Sequence, residues 1–178
     1  MLNGITLGVM IIIILLIGGL VLTVLINILL IPLLKTPKSV LQEIVDIMDL
    51  KKEDSLVDLG SGDGSLMLKA HRQSMCECTG YDISPIMLIL AKTRKVLQFP
   101  LDKKINFEAE DIFKVDLNKF TKIYCYLDQK SMEILKLKFE EFVKKNGEVY
   151  SYRYGLKGMD NEKFVTLKNE EHLYMYKN

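Results

Sequence analysis

Residues 57 to 64 read Val57-Asp58-Leu59-Gly60-Ser61-Gly62-Asp63-Gly64, and within these eight positions the chain changes from strand to helix. Ser55 to Leu59 is a short apolar run bounded by turn residues, the pattern of a strand buried on both faces. Ser65 to about His71 then reads as a helix. Glycine tolerates positive φ and leaves the backbone open to a ligand, while the first amides of the following helix have no intrahelical partner. In an open parallel sheet such a turn lies in the crevice at the carboxyl ends of the strands. A nucleotide-like ligand is expected there, and the spacing narrows the choice. A dinucleotide fingerprint is G-x-G-x-x-G, but its third glycine would fall on Ser65, and the spacing here is G-x-G-x-G.

Glu77 to Ile83 reads as a second strand that ends in an acid. Asp82 lies 22 residues after Gly60, where a ribose diol would need an acceptor. Ser84-Pro85 supplies an N-cap and a first-turn proline for a helix reaching about Leu97. Ile105 to Glu110 forms a third strand, after which Asp111 and Ile112 stand where a carboxylate and an apolar side chain can meet a purine amino group and ring. Lys122 to Leu127 is a fourth strand, and Ser131 is expected to cap a helix whose Met132, Leu135, Phe139, Phe142 and Val143 share a face. Asn146-Gly147 stops that helix. Val149 to Tyr154 makes a fifth strand, and Phe164 to Leu167 with His172 to Tyr176 suits a terminal hairpin. Before all of these, Ser39 to Gln42 matches a capping box for a helix with Val40, Leu41, Ile44, Ile47 and Met48 at helical spacing. The fold class is therefore α/β: a mainly parallel seven-stranded sheet with an antiparallel end.

The three strand-end features taken in order resemble the class I S-adenosylmethionine-dependent methyltransferases, a Rossmann-like sandwich, over residues 36 to 178. The resemblance implies that Asp58 braces the glycine turn, that Gly60, Ser61, Gly62, Asp63 and Gly64 hold the methionine part of S-adenosylmethionine, and that Asp82 with Ile83, and Asp111 with Ile112, hold ribose and adenine. Thr36-Pro37, the 58–64 motif, and Tyr126-Leu127 ahead of the Met132 to Val143 helix are further similar to small membrane-anchored protein-lysine methyltransferases. Those enzymes act on the ATP synthase c subunit or the adenine nucleotide translocase, and they have prokaryotic relatives. Asp128-Gln129 stands where those relatives commonly place a proline in the second position. Asp128 and Tyr126 are the candidate catalytic residues, Asp128 to orient the acceptor amine or receive its proton and Tyr126 to form part of the pocket.

Ile5 to Leu34 is an apolar run in which only Thr6, Thr23 and Asn27 are polar, and no charged residue precedes Lys35. About 20 such residues span a bilayer as a helix, so one transmembrane helix is expected, ending near Pro32. The run lacks the basic start and small-residue cleavage site of a signal peptide, so the anchor is expected to be retained. Lys35, Lys38, Lys51 and Lys52 follow it, which places the domain on the cytoplasmic side, as in a bacterial inner membrane. The expected organisation is an anchor over 1–34, a linker and leading helix over 35–54, and the methyltransferase domain over 55–178.

The remaining charge is balanced, 24 basic against 23 acidic residues, which argues against a nucleic-acid partner. Cys76, Cys78 and Cys125 form neither a disulfide pattern nor a zinc site; reduced thiols and no metal are expected. His71 and His172 read as surface residues, and the alternating tyrosines 150, 152, 154, 174 and 176 as packing. The functional expectation is a membrane-tethered methyltransferase acting on a protein lysine. A lipid or hydrophobic small-molecule acceptor is one alternative, and a noncatalytic cofactor-binding membrane module is another.

Overall fold

A computed structural model describes residues 4–30, 35–156, 158–159 and 162–178. The chain divides into two compact units, Met1–Leu33 and Leu34–Asn178. In the first, helix α1 spans Gly4–Leu30, about 40 Å at about 1.5 Å per residue. Its Thr6–Thr23 stretch is long and apolar enough to cross a membrane and is not buried within the chain. The hydroxyl of Thr23 donates to the Gly19 carbonyl at 2.8 Å, so one of its few polar groups is satisfied inside the helix. The expected end near Pro32 lies outside the described residues.

The second unit carries α2 (Lys38–Met48), β1 (Ser55–Leu59), α3 (Ser65–Ser74), β2 (Glu77–Asp82), α4 (Pro85–Gln98), β3 (Ile105–Ala109), β4 (Lys122–Cys125), α5 (Gln129–Lys144), β5 (Glu148–Tyr152), β6 (Glu162–Thr166) and β7 (His172–Tyr176). The sheet order is β3-β2-β1-β4-β5-β7-β6. β3, β2, β1, β4 and β5 are mutually parallel, and β7 runs antiparallel to both β5 and β6. The result is a Rossmann-like sandwich on a seven-stranded mixed sheet.

Alternation along the strands divides the core. Leu56, Cys78, Tyr124 and Tyr150 face α2, α3 and α4; Val57, Ile123, Cys125 and Val149 face α5 and the segment holding Val115, Leu117 and Phe120. Successive strand residues point to opposite faces, so each parallel strand needs apolar side chains on both sides. That requirement explains the adjacent apolar side chains Leu56-Val57 of β1 and Ile123-Tyr124-Cys125 of β4.

Several local expectations change. Helix α2 starts after Pro37, whose φ of −59° suits a helix entry, and no side chain caps it; Ser39 is already inside the first turn. Gln42 donates to Asp46 and Gln73 rather than back to the helix start. Helix α5 starts earlier than expected, because Asp128, and not Ser131, is its N-cap. β5 ends at Tyr152, where Arg153 adopts φ 72°. His71 is not a surface residue. α3 runs to Ser74, so His71 is fully buried, with Nδ1 2.7 Å from the Cys76 carbonyl oxygen and Nε2 3.0 Å from Asp102.

Candidate active site

The carboxyl ends of β1, β2, β3 and β4 open on one edge of the sheet, and the glycine turn lies across the middle of it. The amides of Gly60 and Ser61 both donate to the Tyr81 carbonyl of β2 at 2.9 Å, which ties the turn to the neighbouring strand. The Gly62 amide donates to Asp82 Oδ2 at 2.8 Å. Asp82 Oδ1 accepts from the Ser84 amide, also at 2.8 Å. A carboxylate has about four lone-pair sites, so Asp82 keeps acceptor capacity while bracing the turn. Gly64 begins α3 with φ 72°, and a Cβ there would lie 2.5 Å from the Phe107 ring. Only glycine fits both the backbone angle and the contact.

Three carboxylates gather at this turn. Asp58, at 3% exposure, accepts no hydrogen bond among the described residues. Burial first, and then the neighbouring charges of Asp82 and Asp63, push its carboxyl well above the usual carboxylate range. Asp63 is also buried, and its burial works to raise the carboxyl. A hydrogen bond from Lys35, those from Ser65, and the charge of Arg94 together hold it below the ordinary value. Arg94 of α4 reaches Asp63 at 2.7 Å and donates to Ser65 Oγ at 2.8 Å. Ser61 differs from its neighbours: its side chain turns under the loop against Gly80, and its buried hydroxyl has no partner among the described residues.

Asp111 follows β3 half-exposed, accepting from the Phe113 amide at 3.0 Å and lying 3.6 Å from Lys114 Nζ. Ile83 is exposed beside Asp82, and Ile112 packs partly against the α5 side of the core. Beyond β4, Tyr126 meets Tyr152 edge-on at 4.8 Å and lies nearly parallel to Tyr154 at 6.5 Å. Asp128 is exposed and accepts from the Ser131 amide at 3.0 Å and from its hydroxyl at 2.7 Å. Next to it, Gln129, Arg153, Tyr154, Gly155, Glu162 and Tyr174 line an open cleft of about 290 Å³.

Residues 58–163 match the model of the ANTKMT methyltransferase domain, a span that takes in the glycine turn, Asp82, Asp111 and the end of β4. The chain belongs to the ANTKMT methyltransferase domain family. It is 24% identical over 152 residues to a protein-lysine N-methyltransferase of Saccharolobus islandicus (strain REY15A), covering 82% of this chain and 92% of that one. An adenine nucleotide translocase lysine N-methyltransferase of Mus musculus is 27% identical over 101 residues, which are 57% of this chain and 44% of that protein. Among solved structures, an RNA methyltransferase of Salinibacter ruber with bound S-adenosyl-L-homocysteine superposes with a TM-score of 0.73 at 24% identity, over 80% of this chain and 92% of that one; this likeness shows the fold.

This member of the ANTKMT methyltransferase domain family is therefore an enzyme whose cofactor is S-adenosylmethionine. The site fits that cofactor on chemical grounds. A buried carboxylate without a donor, beside two more acids, suits a ligand carrying a sulfonium and an ammonium charge. Reading the sequence did not find Lys35, whose ammonium pairs with Asp63, or the hydrogen bond of 2.7 Å between Thr36 Oγ1 and the Tyr124 hydroxyl. It also missed Arg94. Their one signal was position: Lys35 is the first charge after the apolar run.

Proposed function

We propose that this enzyme is held in a bilayer by residues 5–34, led by the segment 35–54, and transfers methyl groups through residues 55–178 to a lysine of a membrane protein. The observation that carries this reading is the family match across 58–163. It joins the acidic glycine turn to the end of β4 in a chain that is similar to proteins named as lysine N-methyltransferases. An apolar helix of 27 residues on the same chain supports a membrane substrate, with the catalytic unit on the cytoplasmic side.

S-adenosylmethionine supplies an already activated methyl group, so the protein's part is to bind, align and exclude water. In this reading Asp63 and the backbone of Gly60, Ser61, Gly62 and Gly64 hold the amino-acid end. Asp58, expected to brace the turn, accepts no hydrogen bond from it among the described residues, where Asp82 takes the Gly62 amide instead, and Asp58 is left to meet the ligand's positive charge. Asp82 with Ile83 takes the ribose, and Asp111 with Ile112 takes the adenine. The acceptor lysine has a reference pKa of about 10.4 and must react as the neutral amine. The buried Leu127 and the rings of Tyr126 and Tyr154 supply the desolvation that favours that form. Hydrogen bonds from Ser131 hold the Asp128 carboxyl below its ordinary value, which suits Asp128 to orient an ammonium by charge and not to store its proton.

Radiolabelled methyl transfer into native membranes, followed by identification of the modified residue, tests the proposal. Label on a protein lysine, lost with Asp82→Ala, is the expected result. Label that partitions into organic solvent assigns the acceptor to a lipid and overturns the lysine reading.

A further inference from the structure

Large apolar side chains exposed in the second unit concentrate on and around α4. Ile86, Leu90 and Leu97 recur at i, i+4 and i+11, Ile89 and Val96 flank them, and Leu101 follows the helix at 91% exposure. The buried side chains of α4, Leu88 and Ala91, lie on the opposite face, so this second apolar face is not the one that packs on the sheet. A contiguous exposed apolar face of this kind marks an interaction surface. Along its flank an open cleft of about 420 Å³ runs between α2, α3 and α4. Among the described residues the cations Lys38, Lys69, Arg72 and Arg94 line it and no carboxylate does. Arg72 reaches Gln98, a neutral partner, at 2.5 Å, so its charge is not cancelled there.

We infer that this face of the domain seats on an anionic phospholipid surface: the α4 ridge enters the boundary between headgroups and acyl chains, and the cleft takes a lipid phosphate. The inference rests on the membrane reading and deepens it. Apolar side chains beside lysines and arginines are the composition of elements that lie in a bilayer interface. Each basic side chain near an anionic leaflet adds to the attraction. Sequence position singles out lipid among apolar partners. Four residues separate Leu30 from Lys35, and Lys38 in the cleft wall opens α2, so the basic cleft begins within a few residues of the end of the tether. The face also adjoins the site, since α4 follows Asp82 and Ser84 directly and Arg94 links the cleft to Asp63. Seating would present the glycine turn close to the membrane plane, where a membrane-protein acceptor is found.

The chain contains no tryptophan, so Leu97→Trp places a single reporter on the ridge. Full-length protein carrying it is reconstituted in nanodiscs of brominated phosphatidylcholine with or without phosphatidylglycerol. The expected result is a blue-shifted emission that loses most of its intensity in the phosphatidylglycerol discs. Lys38→Ala, Lys69→Ala and Arg72→Ala combined should return it to the phosphatidylcholine level. Water-like, unquenched emission in the anionic discs overturns the inference, as does quenching that ignores both lipid charge and the triple substitution. A blue shift that grows with protein concentration, without bromine quenching, assigns the ridge to a second copy and overturns it too. Entry into the discs and resistance to alkaline extraction read the anchor separately. If the chain stays outside, the same reporter is read against brominated phosphatidylglycerol vesicles, where quenching supports the seating and its absence overturns it.

Discussion

Asp82 braces the glycine turn from the neighbouring strand: its Oδ2 accepts the Gly62 amide at 2.8 Å, while Oδ1 accepts from Ser84. One side chain thus shapes the turn, holds the amide of Ser84, the N-cap of α4, and keeps lone pairs free to accept from a ligand. Asp82→Ala should weaken S-adenosylmethionine binding by about ten- to a hundredfold, the range of a lost charge-assisted hydrogen bond of about 1.5–3 kcal/mol. Calorimetry measures this directly. Asp82→Asn, which can still accept from Gly62, should recover part of the loss; unchanged affinity in the alanine variant would remove Asp82 from the site.

Asp58 makes the ligand-free domain sensitive to pH. Its carboxyl is raised in the folded chain, so the native state keeps a proton that the unfolded chain releases. Stability from this group is full below about pH 4, its unfolded range. It falls as pH rises toward the folded pKa, by up to about 1.4 kcal/mol per pH unit across that window. Asp58→Asn should therefore raise the Tm of the ligand-free protein at neutral pH by a few degrees, have little effect near pH 4, and weaken cofactor binding. Melting curves over pH, with and without cofactor, check both arms; a Tm gain independent of pH would contradict the assignment.

Gly64 tests whether the motif glycines are set by backbone geometry. An alanine there would combine a left-handed backbone, which costs about 1–2 kcal/mol, with a Cβ 2.5 Å from Phe107, an overpacking of about 1–3 kcal/mol. Gly64→Ala should destabilise the domain by about 2–5 kcal/mol in denaturant unfolding. Phe107→Leu in the same chain relieves the contact and should recover part of that, leaving the backbone component.

The elements that define this fold were legible because each rested on a local rule with one outcome. The strand Ser55 to Leu59, the glycines after it and the Ser84-Pro85 helix start all lie where they were expected, and the family match takes in the motif from Asp58 onward and the helix start. Features set by distant partners were not legible. His71 read as a surface residue because nothing near it in sequence announces Asp102, 31 positions away, or Phe99, whose ring meets it edge-on at 5.2 Å. The capping box at Ser39 failed because Pro37 starts the helix first. The Lys35 and Arg94 charges on Asp63 come from segments 28 residues before it and 31 after, and a motif read along the chain does not contain them.

Asp128 carries the sharpest question about the acceptor side. Its carboxylate caps α5 through Ser131, and those hydrogen bonds, ahead of all else, lower its pKa, so at neutral pH it is a charge and a poor proton acceptor. Asparagine is as good an N-cap as aspartate, whereas alanine costs about 1 kcal/mol at such a position. Asp128→Asn should leave Tm unchanged and lower kcat/KM by about two- to fivefold, the scale of an exposed ion pair worth up to about 1 kcal/mol. Asp128→Ala should show the same kinetic loss together with a lower Tm. General-base catalysis predicts a different size of effect, since removing such a group costs about a hundred- to ten-thousandfold. A loss of that order in Asp128→Asn, at unchanged Tm, would make Asp128 the proton acceptor; the smaller loss would leave it orienting the amine while it holds the helix.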